Sequence, residues 1–246
     1  MLAKVLVLLA LSGLSFSAKL PSNFQTCHVN DVEFSTCLAK AIEDALHSLK
    51  DGEKTLGIAP IDPLHVDEMT LDLGSGPISI VLSAKDLNIV GLHSTTVDSA
   101  ELDSKKHVLV VKAQTKHLRL DFQYKATGQI LVVPVRGDGP AFFEFDDVAT
   151  THVITGEPVE RKGKTYWTIT DYKVNIEPKK MKCHFTDLIK GNSQVSEQVN
   201  GFLNGDWKLF YKQIQGPAQE AFSAMFKQLA GRVFDRVPIT DIYQDI

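Results

Sequence analysis

The 246-residue sequence predicts an α+β fold in which a strongly curved antiparallel β-sheet wraps around a long C-terminal α-helix. Three observations carry this expectation. The middle of the chain is a succession of strand-like runs with period-two alternation and no long helical pattern between them, which calls for antiparallel, hairpin-connected pairing. The last third switches to helical spacing, with apolar residues at Val195, Val199, Phe202, Leu203, Phe210, Ile214, Phe222, Met225, Phe226, Leu229 and Val233. An apolar stripe that long needs an equally long apolar surface, and the concave face of a curved sheet is the candidate. Sheet around helix leaves a tubular, aromatic-lined interior, the kind of place where ligands bind.

The elements follow in order. The opening MLAKVLVLLALSGLSFSA has one lysine, an apolar run too short to span a bilayer and then small residues, the layout of a secretory signal peptide over residues 1–18. Residues 19–246 are expected to form a single domain, exported and extracellular, with no integral membrane insertion. The first helical pattern, FSTCLAKAIEDALHSLKDG, places Leu38, Ile42, Ala45, Leu46 and Leu49 on one face and stops at Asp51-Gly52. The stretch LGIAPIDPL then holds two Xaa-Pro pairs, which push Ala59 and Asp62 into extended backbone and make a stiff connector.

Strands are expected at Glu68–Leu73 and in PISIVLS, LNIVGL, HVLVVKA, HLRLDFQY, QILVVPV, AFFEF and YWTITDYKVNI. Turns are marked by Gly74-Ser75-Gly76, Gly128, Gly137-Asp138-Gly139 and Lys162-Gly163. In the C-terminal pattern, Gly216-Pro217 is the expected kink in one long bent helix.

Charge and motifs exclude several classes of function. The formal charge is −4 with both signs mixed along the chain, so no basic stripe exists for nucleic acid. There is no G-x-S-x-G, H-E-x-x-H, C-x-x-C or Walker loop, and GDGPAF fails the dinucleotide fingerprint at Phe142. Cys183-His184 has no second pair at ligand spacing. Asp146 and Asp147, adjacent in a strand, are expected on opposite faces. No catalytic residue, metal site or cofactor is expected, and the chain reads as a binding protein. Of three cysteines, Cys27 and Cys37 are expected to pair in an oxidising compartment, leaving Cys183 as a buried thiol, a reactive thiol or an intermolecular link.

Four motifs in order, LGIAPIDPL behind a two-cysteine helix, KDLNIVGL, FQYKATGQILVVPVRGDG and FDRVPITDIY, resemble the takeout and juvenile-hormone-binding proteins of insects across essentially the whole mature chain. The resemblance implies a secreted carrier, in haemolymph or another extracellular fluid, for a terpenoid hormone, fatty acyl compound or isoprenoid. It matches Cys27 and Cys37 to the family's N-terminal bridge, Pro60, Asp62 and Pro63 to its connector, and Tyr124 to an aromatic position in its central hairpin. Juvenile-hormone-binding proteins proper carry a second bridge into the long helix. QEAFSAMFKQLAG lacks a cysteine there, which places the chain nearer the takeout branch.

The partner expected is therefore a small lipophilic ligand, with lipid transfer from a membrane surface as the alternative and ester hydrolysis third. The candidate lining is Phe34, Ile42, Leu120, Phe122, Tyr124, Phe143, Phe202, Trp207, Phe222 and Phe226, with the Tyr124 hydroxyl free to pair with a ligand oxygen. Burying roughly 300 Å² of such a ligand gains about 7 kcal/mol before association costs.

Overall fold

The computed structural model describes residues 18–74 and 76–246. The expected leader, but for Ala18, lies outside the described residues, as does Ser75 of the expected turn at 74–76.

The segment around Cys27 and the C-terminus meet at one pole. Strand β1 (Cys27–His28) pairs in parallel with the C-terminal β8 (Tyr243–Gln244), and the Cys27–Cys37 disulfide fastens β1 to helix α1 (Phe34–Ser48). After a 3₁₀ turn, the proline connector leads into β2 (Leu64–Asp72), which starts directly after the cis Asp62–Pro63 peptide. The buried Asp62 carboxylate accepts the N–H of Gly91 at 2.9 Å and of His93 at 3.0 Å, and also pairs with His93 Nδ1. Burial opposes its charge. The His93 ring and the two N–H donors outweigh that and hold the carboxyl below its ordinary range. Asp62 thus ties the LGIAPIDPL connector to the end of the KDLNIVGL strand. At that end Gly91 (φ +109°) has no room for a side chain: a Cβ would lie 2.2 Å from the His117 carbonyl oxygen.

The sheet runs in the order β2–β3–β5–β6–β7, with β3 (Ile78–Val90), β5 (Val108–Ile130), β6 (Val133–Arg161) and β7 (Lys164–Phe185) all antiparallel to their neighbours. β4 (Thr96–Asp103) continues on β5 beyond β3. Several sequence runs merge into single strands. A straight strand as long as β6, 29 residues, would reach roughly 95 Å. Coiling of the sheet is therefore obligatory, and breaks in register at Lys85/Asn88, Val97/Ser99 and Thr155/Gly156 supply bends.

A further bend flips the inward face. On β5 the inward residues are Leu109, Val111, Ala113 and Thr115, then Leu118, Leu120 and Phe122; on β6 they are Phe143 and Phe145, then Val148, Thr150 and His152. Both strands change parity at one place, where His117 opposes Asp146 and Thr115 opposes Val148. Asp147 turns there through φ +49°, so Asp146 and Asp147 are both exposed rather than on opposite faces. Two expected turns also prove to be strand. Gly128 and Gly137-Asp138-Gly139 lie inside β5 and β6, and the hairpin reverses at Leu131-Val132 instead. Gly128 serves close strand approach: a Cβ there would sit 2.1 Å from the Ser79 carbonyl oxygen.

The C-terminal third is helical but breaks elsewhere than expected. α2 (Ser193–Gly205) ends at Asp206, whose carboxylate then caps α3 (Trp207–Phe234) by accepting the Leu209 N–H. α3 continues without interruption through Pro217, at roughly 42 Å for its 28 residues. Proline forfeits one hydrogen bond, whereas Gly205-Asp206 offers both a weak helix residue and a ready cap. A short α4 (Ile239–Ile242) closes the chain onto β8.

Helices α2 and α3 lie along the outer edge of β7. A stripe of polar side chains four residues apart bonds that edge. Ser196 reaches the Ile189 backbone, Asn200 both backbone groups of Phe185, and Asn204 both groups of Cys183. Along α3, Tyr211 and Gln215 donate to the Ile176 carbonyl, Ser223 accepts the Val174 N–H, and Lys227 donates to the Thr170 carbonyl. The helices thus take the place of a neighbouring strand on an otherwise open edge.

Candidate ligand cavity

The interior is filled unevenly. At the end covered by α2 and the start of α3, aromatic rings interlock: Phe143 lies 5.8 Å from Phe122 and 5.6 Å from Phe185, and Tyr124 lies 5.1 Å from Phe185. Val199, Leu203, Phe210 and Ile214 press onto this cluster from the helices. Beyond Ile214 the helix ceases to seal. Phe222, Phe226 and Leu229 stay half-buried and border open space, with Phe226 reaching the sheet at His152 and Tyr172.

That space is an apolar cavity of about 350 Å³. Its walls come from α1 (Ile42, Leu46), the strands on the far side of the parity change (Val111, Val148), and α3 (Phe222, Phe226). Ala218 and Ala230 of α3 also face it, and their small side chains keep it open. No helix of the described residues is long and apolar enough to cross a membrane.

Of the ten residues expected to line a ligand site, four meet on this cavity: Ile42, Leu120, Phe222 and Phe226. The other six pack elsewhere. Phe122, Tyr124 and Phe143 belong to the interlocked cluster, Phe202 and Trp207 lean on its outside, and Phe34 sets its edge against Tyr243 at 6.3 Å. The Tyr124 hydroxyl donates to the Thr186 carbonyl at 2.7 Å, so it is spent within the protein. Its proton is held more firmly than usual, chiefly because the group is buried.

The cavity wall does contain a polar cluster that the sequence reading passed over. Thr150 and His152 on β6 and Tyr172 on β7 all face it. His152 Nδ1 lies 2.9 Å from the Tyr172 hydroxyl and Nε2 lies 3.0 Å from Thr150 Oγ1, while Phe226 sets its edge to the imidazole at 5.7 Å. Burial pushes the His152 pKa down to about 4, so the ring is neutral at physiological pH. A signal was present: in ATTHVITG, His152 has the parity of Thr150 and Ile154, two residues typical of a buried strand face. Elsewhere on the wall, Thr95 and Thr115 bond each other at 2.8 Å, and Tyr211 is bonded to the Ile176 carbonyl at 2.6 Å. Cys183 lies outside the cavity in the packed end; burial raises its thiol pKa to about 12 and leaves it protonated and unreactive.

A single coiled sheet clasping a long helix, with an apolar cavity between them, defines a tubular fold built around an interior space. Residues 5–244 match the model of the haemolymph juvenile hormone binding protein family, and the chain belongs to that family. It is 24% identical over 232 residues to the circadian clock-controlled protein daywake of Drosophila melanogaster, spanning 91% of this chain and 88% of the relative. The daywake protein of Drosophila yakuba is 22% identical over the same length. The crystal structure of Epiphyas postvittana Takeout 1 superposes with a TM-score of 0.78 over 89% of this chain and 99% of that one, at 24% identity. This likeness establishes the curved sheet and long C-terminal helix as a takeout fold.

Proposed function

We propose that this protein is an extracellular carrier that holds one small hydrophobic molecule in the cavity between α3 and the sheet. The observation that carries the proposal is the cavity itself: about 350 Å³ of apolar space in a domain whose other end is packed solid. A void that size, left unfilled, forfeits dispersion contacts along its whole wall, and a terpenoid, fatty acyl or isoprenoid chain would restore them. Ile42, Leu120, Phe222 and Phe226 are the proposed ligand contacts. The name of the family and the leader-like N-terminus support carriage outside the cell.

The test is solvent extraction of protein purified from its natural source, followed by mass spectrometry. A lipophile recovered in near-equimolar amount supports the carrier. Protein that yields none, and that takes up no apolar fluorophore such as N-phenylnaphthylamine, sinks it.

A further inference from the structure

A cavity lined for hydrocarbon alone would exclude polar groups, since each costs desolvation free energy unless it is bonded. Here three polar side chains from two neighbouring strands converge on one patch of wall, each within hydrogen-bond reach of the next, and the Thr150 contact with the backbone orients the relay in one consistent arrangement. The Thr150 hydroxyl donates to the Ala113 carbonyl through a long 3.5 Å contact. Its oxygen is then the acceptor for the His152 Nε2–H, 3.0 Å away. With the proton on Nε2, His152 Nδ1 is an acceptor and receives the Tyr172 hydroxyl proton across 2.9 Å. In this arrangement every proton of the relay is committed inside the protein. The Tyr172 side chain lines the cavity, and its oxygen keeps a second lone pair that has no donor among the described residues in this arrangement.

We propose that the Tyr172–His152–Thr150 relay anchors the ligand's polar end, and that it selects a lipophile bearing a hydroxyl, a long-chain or terpenoid alcohol, over one bearing only an ester or ether oxygen. This rests on the carrier reading and adds to it the chemistry of the cargo. A ligand hydroxyl donates to Tyr172 and completes the chain. A ligand with acceptors only presents lone pair to lone pair and loses that bond. The apolar surroundings sharpen the choice, because an unmade hydrogen bond there finds no water to replace it. Of the other polar side chains on the wall, Thr95 and Thr115 are buried and bonded to each other, Tyr211 is spent on the backbone, and Gln25 and Tyr243 belong to the segments that meet at β1 and β8, apart from the relay on β6 and β7.

The experiment is displacement of N-phenylnaphthylamine from the full chain by dodecanol, dodecyl methyl ether, methyl undecanoate and dodecane. Dodecanol is expected to bind more tightly than its methyl ether, although the ether is the more lipophilic. Tyr172→Phe should weaken dodecanol about tenfold, the loss of one buried hydrogen bond, and leave dodecane and methyl undecanoate within about twofold. Tyr124→Phe, which removes a hydroxyl remote from the cavity, should leave the order of the four ligands unchanged. Ether binding as tightly as alcohol to the wild-type protein overturns the inference while the carrier stands, and this comparison needs no variant to fold. An alcohol preference that survives in Tyr172→Phe also overturns it. Failure of the fluorophore to bind protein whose solvent extract is empty removes both readings together, and bound fluorophore that none of the four displaces overturns the inference.

Discussion

His152 shows how a single residue couples the cavity to stability. Its imidazole is neutral in the folded protein because burial lowers its pKa from 6.5 to about 4. The unfolded chain therefore binds the proton more readily, and protonation favours unfolding. Stability from this group is fully present above about pH 6.5 and is lost progressively as the pH falls toward 4, by up to about 3 kcal/mol. Melting curves of wild type and His152→Gln between pH 7 and pH 4 should diverge, with the wild type losing more on acidification. Parallel curves would mean that the ring is solvated. The same residue marks a limit of sequence reading. A histidine in a strand is usually at the surface, and His117, exposed and 2.8 Å from Asp146, conforms. What sends His152 inward is the parity change at Asp146-Asp147, a backbone angle whose trace in the sequence is only the shared parity of His152 with Thr150 and Ile154.

At the scale of elements, the apolar periodicity of the last third located the helices and the polar periodicity explains how they dock. Ser196, Asn200 and Asn204, then Tyr211, Gln215, Ser223 and Lys227, fall at four-residue multiples within their helices. In the folded protein they bond the β7 edge, and Asn200 is buried against both the N–H and the carbonyl of Phe185, each at 3.0 Å. Asn200→Ala should leave both groups unpaired and cost about 2–4 kcal/mol, a fall in Tm of roughly 5–10 °C. Asn200→Asp keeps the acceptor for the Phe185 N–H but sets a carboxylate against its carbonyl, and should also destabilise. A Tm within 2 °C or so of wild type for Asn200→Ala would show that water replaces the amide. Turn residues misled for a related reason: Gly128 and Gly137 are glycines because neighbouring backbone comes too close for a Cβ, not because the chain reverses there.

For the whole molecule, the architecture was legible because two periods and one length mismatch leave few alternatives. A helix of several turns with an apolar stripe, and strands with no helices between them, can bury each other only by wrapping. The position of the empty space was not legible. It depends on which half of the tube the large rings fill, and Phe122 or Phe143 carries no mark that separates it from Phe222 or Phe226 in sequence. The structure divides them by the company they keep: Phe122 and Phe143 face rings across the sheet, whereas Phe222 and Phe226 share their helix with Ala218 and Ala230. Small residues thus decide where the interior stays open, and they are the positions at which to close it. Ala218→Phe adds a ring pointing into a dry void, where new dispersion contacts should hold or raise the Tm while the room for ligand shrinks. Binding of N-phenylnaphthylamine should fall at least tenfold with the far-ultraviolet circular dichroism unchanged. If the variant binds as well as wild type, the hydrophobic molecule must sit elsewhere on the protein; if it binds less but also melts well below wild type, the cavity was never free to accept the ring.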